Sequence, residues 1–176
     1  MEQIDRLPLR ISRLLGWFLL LYVAFHLREL LEADSFLETL SHFFKRRYLT
    51  LSIFTGIAWF SYSLCAYLLL RWLYDRIAWP LLILLLLGSV VTCMFWRAFL
   101  EEVIAKAITG EGNYNPDMPW GTYLRDQILY ALYFTPLGIL FYFTQRSRFY
   151  EERRQEAEVL RVQSELKFLR SQVNPH

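Results

Sequence analysis

Four blocks of the chain run apolar almost without interruption, at 14–25, 49–70, 78–95 and 127–143. A helix needs roughly 20 such residues to cross the hydrocarbon core of a bilayer. The first block, "LLGWFLLLYVAF", is short, but Leu7, Leu9, Ile11 and Leu27 extend it. Arg10, Arg13 and Arg28 beside it are long enough to snorkel toward head groups. None of the blocks alternates apolar and polar positions as a barrel strand does, and open sheet edges cannot face lipid. The pattern therefore predicts an all-α membrane protein, a four-transmembrane-helix bundle over residues 1–144.

The connections carry their own signals. Ser35 and Glu38 have the spacing of a capping box, and Leu37, Leu40, Phe43 and Phe44 would form an apolar stripe on the helix it starts. The turn at 71–76 is so short that the second and third spans must be antiparallel neighbours. The third span is expected to run on to about Ile108, where Gly110 and Gly112 end it. "GNYNPDMPWG" then reads as a dense turn segment. Trp72, Tyr74, Trp79, Trp96 and Trp120 fall at block ends, the head-group level that suits amphipathic rings. Pro136 lies inside the fourth span, where it frees the carbonyl of Leu132 and is expected to act as a hinge.

After residue 144 the pattern changes. "QRSRFYEERRQEAEVLRVQSELKFLRSQV" holds no Gly or Pro and is rich in Arg, Glu, Gln and Leu. It predicts one helix continuous with the fourth span and running into water. Val159, Val162, Leu166, Leu169 and Val173 recur at alternating steps of three and four, a heptad seam of about two turns of the repeat. The seam asks for a partner helix, and a second copy of the chain is the simplest one. Residues 145–176 are thus expected to form a short parallel coiled coil in a homodimer.

Composition sharpens the class. The 176 residues are 55% hydrophobic and 18% aromatic, with mean hydropathy +0.24, net charge +2 and pI about 8.6. That charge is too mild, and has no basic stripe, for nucleic-acid binding. Cys65 and Cys93 fall inside apolar blocks with no Cys-x-x-Cys, so neither a metal site nor redox chemistry is expected. Basic residues divide almost evenly between the two sides of a four-span arrangement. The polar tail, positive at its start, places both termini in the cytoplasm of a multi-pass protein of the inner (plasma) membrane, with lipid as its surroundings.

The last residues, "SELKFLRSQVNPH", carry the chemistry. An imidazole on a helix titrates near physiological pH. Pro175 loosens the helix beside His176. Glu165, Leu166, Leu169, Gln172, Val173, Pro175 and His176 fall in register with a phosphoacceptor box of the form E-L-x-x-L-x-x-Q-[IV]-x-P-H-F-L-F-N. The stretch resembles that box in sensor histidine kinases of the autolysin-regulator, or LytS-like, type. The resemblance covers about a dozen residues. It implies that His176 receives a phosphoryl group and passes it to an Asp of a response regulator. It also implies ATP and Mg in a catalytic domain. The 176 residues contain no Asn-box or Gly-rich lid, so the chain reads as the sensor and linker half, without cofactor or enzymatic activity of its own.

A stimulus is expected to enter at the third connection, where Trp96, Arg97, Glu101, Tyr114, Asp117 and Trp120 gather near one membrane face, with Glu102, Arg125 and Asp126 close by. Two other classes compete. A structural membrane anchor or assembly protein would give His176 no role. A small transporter subunit would need charged groups in the middles of the second and third blocks, which hold none.

Overall fold

The computed structural model describes residues 7–32, 41, 44–115 and 117–173, all helix or connection with no strand among them. The expected capping box at Ser35 and the box residues Pro175 and His176 lie outside the described residues. Four helices carry the architecture: α1, Ile11–Glu32; α2, Arg46–Leu73; α3, Trp79–Thr109; and α4, Trp120–Val173.

Local chemistry sets their ends. Ala78 is extended ahead of α3 and Pro80 sits in its first turn, where a missing N–H costs nothing. Gly110 closes α3 at φ 87°, a left-handed conformation that side chains resist, and its N–H bonds the Lys106 carbonyl at 2.8 Å. The helix end expected near Ile108 is thus observed at Thr109. Just before its last five residues α3 changes character: Phe99–Ile104 is a π-helical turn. Such insertions are rare and concentrate at functional sites. Pro119 starts α4, its carbonyl accepting from the N–H groups of Thr122 and Tyr123.

α2, α3 and α4 are long and apolar enough to cross a membrane. The apolar part of α1, Ile11–Leu27, is shorter than the other three. α3 buries only 11% of its most apolar window. Leu81, Ile83, Leu84 and Leu87 stand exposed along it. Apolar surface on that scale is not left to water; lipid is the medium that suits it. α3 continues 14 residues past the apolar block at 78–95, as expected, so Arg97 and Glu101 are helical positions inside a span-length element.

The chain divides into two compact units. One is Leu9–Phe141; the other is formed by the described residues of Met1–Pro8 and Tyr142–His176. The core of the first is aromatic: Phe18, Trp59, Tyr62 and Phe134 bury together with Cys93 and Ala131. The Trp59 indole is stacked on both Tyr130, 4.1 Å away, and Phe134, 5.0 Å away. α2 and α4 approach closely beyond it. The Ser63 hydroxyl donates to the Phe134 carbonyl at 2.7 Å, and a Cβ on Gly138 would lie 2.0 Å from the Ser63 carbonyl oxygen. Pro136 sits between those two contacts, in a helix that continues through it. In the second unit, the Gln145 amide donates to the Pro8 carbonyl at 2.7 Å and Arg146 to the Tyr142 hydroxyl at 2.8 Å.

Candidate functional site

An ion pair inside the first unit joins Glu101 of the π-helical turn to Arg97, two residues ahead of that turn in α3. Arg97 and Glu101 are 1% and 0% exposed. The Arg97 Nε donates to Glu101 Oε1 at 2.9 Å, and Thr55 of α2 donates its hydroxyl to the same oxygen at 2.8 Å. The other Glu101 oxygen accepts from Asn113 Nδ2 at 2.8 Å. The Arg97 Nη2 reaches two further groups, the Tyr114 hydroxyl at 2.8 Å and Asp126 Oδ2 of α4 at 2.9 Å. The Tyr114 hydroxyl in turn donates to that Asp126 oxygen. The Arg97 Nη1 is buried without a hydrogen bond among the described residues, but the guanidinium carbon lies 4.8 Å from the Tyr130 ring centre and 5.8 Å from that of Trp59.

One guanidinium therefore ties α2, α3, the 110–119 connection and α4 into a single polar knot. Breaking such a buried pair is far more costly than never having built it. The neighbouring Glu102 fastens the connection, its Oε1 accepting from the backbone N–H groups of Asn113 and Tyr114, each at 3.0 Å. Arg47 at the start of α2 pairs with Glu111 on the same connection. Burial pushes the Tyr114 phenol well above its ordinary range; the Arg97 charge opposes this, and the hydrogen bond to Asp126 adds to it.

Beside the knot lies a cavity of about 1480 Å³. Val91, Phe95, Phe99 and Val103 of α3 form one wall, and Trp120, Leu124 and Gln127 of α4 another. Lys106 and residues 110–115 close one end.

The residues expected at the sensing face thus separate. Arg97, Glu101 and Tyr114 come together in the knot. Trp120 is 78% exposed and lines the cavity. Trp96 stands exposed on α3, its ring 5.9 Å from Phe99, and Asp117 is exposed in the connection, bonded through its N–H to Asn115. Thr55, Asn113 and Gln127 were missed. Thr55 sits in an apolar block 42 residues before Arg97 with no local signal, and Asn113 reads only as a turn residue.

On the tail, Val159, Val162, Leu166 and Leu169 are all roughly half exposed and unpartnered in the single chain, while Val173 ends the helix. Glu165 bonds Arg161 one turn earlier at 3.0 Å, and Gln172 is exposed. Among the described residues no three His, Cys, Asp or Glu side chains converge on a point that would hold a metal ion. The geometry of the knot is that of a clamp: one Arg97 nitrogen bonds both Tyr114 of the connection and Asp126 of α4. Compared with family models, curated proteins and solved structures, the chain matches none.

Proposed function

We propose that the chain is the membrane sensor and dimerisation part of a two-component sensor histidine kinase of the LytS-like type. In this reading α1 joins the three longer helices as a fourth span, both termini are cytoplasmic, and the membrane is the inner (plasma) membrane. The observation that carries it is α4. This one unbroken helix of 54 residues bears Asp126 of the buried clamp in its second turn and the exposed apolar seam in its last third. A continuous helix with a clamp near one end and a dimer seam near the other is what a mechanical relay requires.

The seam pairs with that of a second copy and His176 is the phosphoacceptor. A response regulator is the partner that receives the group. In this reading ATP and Mg act in a catalytic domain, not in the bundle or the tail. Pro136, held between the Ser63 contacts, is the fulcrum at which a movement of α4 in the bundle becomes a movement of the tail.

The test is acid-labile phosphate on the protein in native membranes supplied with ATP and the catalytic domain this reading requires. Label is expected at His176, lost in His176→Gln and retained in His42→Gln. A wild-type protein without acid-labile label at His176 overturns the kinase reading and leaves a membrane anchor that uses its tail to hold a partner.

A further inference from the structure

The cavity beside the clamp has the features of a ligand site. Small-molecule pockets run to roughly 300–1,000 Å³, and this one exceeds that range at about 1480 Å³. Its wall residues Phe95, Val103 and Leu124 are between 46% and 73% exposed, so it opens to the outer side of the helices, where lipid lies. An apolar slot of that size, reachable from the hydrocarbon, suits a long acyl chain.

The polar lining decides the head. Four charged side chains line the cavity: Arg47, Lys106, Glu102 and Glu111. Three of them are committed, Arg47 to Glu111 and Glu102 to two backbone N–H groups. Both acids are thus already engaged within the protein, and Lys106 is the remaining cation. A second donor comes from α4. Gln127 is 1% exposed; its Nε2 faces the Tyr123 hydroxyl and makes no hydrogen bond of ordinary geometry among the described residues. A buried amide N–H whose hydrogen bond is not well formed is costly, and an acceptor placed in the cavity would complete it. Among the described residues the groups left to meet an occupant are thus one cation, Lys106, and one weakly engaged neutral donor, the Gln127 amide, and they match a singly charged acceptor.

We infer that this cavity binds a single-chain amphiphile with a carboxylate head, of the fatty-acid class, its chain along the α3 wall and its head toward Lys106 and Gln127. The assignment deepens the sensor reading, on which its signalling consequence rests: Gln127 follows Asp126 directly, so an occupant touches α4 next to the clamp. Binding itself is measured separately from signalling.

The experiment uses the full chain in phosphatidylcholine nanodiscs with a diazirine-bearing C16 fatty acid, followed by peptide mapping. Label is expected on the 91–103 and 120–127 peptides. Oleate should compete it away at least tenfold better than oleyl alcohol or phosphatidylglycerol. Gln127→Leu and Lys106→Gln should each lower it about fivefold or more. Val103→Trp, which fills the slot from an exposed wall position and leaves the clamp alone, should abolish it in folded protein. Label spread evenly over the exposed face of α3 at 81–87, or unchanged by Val103→Trp, overturns the assignment. Equal competition by phosphatidylglycerol also overturns it, in favour of ordinary bilayer lipid. Specific label without phosphate on His176 would retain the site and remove the kinase; phosphate without specific label would do the reverse.

Discussion

At the scale of single residues, Arg97 bears the most. It makes hydrogen bonds to Glu101, Tyr114 and Asp126 while stacked against aromatic rings, and it is 1% exposed. Removing it leaves the Glu101 carboxylate buried and uncompensated. Arg97→Met is expected to destabilise the protein by about 3–5 kcal/mol, read as a fall in thermal midpoint in detergent, and adding Glu101→Gln should restore part of the loss. Tyr114 gives a pH signature. A phenol in the unfolded chain titrates near roughly 10, and burial holds that of the folded protein higher. The neutral form is therefore the one the fold favours. Its contribution is complete below about pH 10 and disappears as pH rises through the folded-state value. Wild type should lose stability between pH 9.5 and 11.5 more steeply than Tyr114→Phe, as followed by circular dichroism, and parallel curves would refute a buried phenol.

At the scale of elements, the α2–α4 crossing is the tightest point. Gly138 meets the Ser63 carbonyl with no room for a methyl group, whereas Gly88 of α3 has nothing within 4 Å of the place its Cβ would take. Gly138→Ala is expected to cost about 1–3 kcal/mol by overpacking. Gly88→Ala should gain about 0.5–1 kcal/mol by helix propensity. Reversed signs in reversible unfolding would mean the crossing is looser than drawn. Pro136, two residues away, denies the Leu132 carbonyl its helical partner. Pro136→Ala should raise amide protection over residues 132–140 in hydrogen exchange and change the fraction of His176 that carries phosphate. A helix that gains protection with phosphorylation unaltered is merely bent.

At the scale of the molecule, the exposed seam is the feature left over. Val159, Val162, Leu166 and Leu169 lie on a helix that otherwise reads as solvated, with Arg161–Glu165 and Arg153–Glu156 pairs along it. Surface pairs of this kind contribute little, so the apolar positions must supply any dimer. Leu166→Cys is expected to form an intermolecular disulfide in membranes under mild oxidation, and Lys167→Cys several-fold less. Leu166→Asp with Leu169→Asp should convert the protein to monomer in nanodiscs by mass photometry. Cross-linking equal at both positions would indicate collision, and with it a tail that does not pair in register.

How much could be read in advance depended on whether a property is local. Span-length apolar helices, the stop at Gly110 and the uninterrupted run from the last span into the tail follow from residue order. Each depends on neighbours within a turn or two: runs without charge, a residue tolerant of positive φ, a stretch lacking breakers. The clamp does not. Arg97, Glu101 and Tyr114 drew notice as charged or aromatic residues beside a membrane face, but Thr55, Asn113 and Gln127 carry no such mark. Thr55 and Asn113 matter because folding brings one from α2 and the other from the connection within 3 Å of the Glu101 carboxylate, and Gln127 because α4 carries it to the cavity wall. The cavity is likewise a space between α3, its following connection and α4, visible only once the chain has turned back on itself. Periodicity along a chain reports which face of a helix is apolar; which partner that face meets, and what polar group is stranded there, is set by packing across the chain.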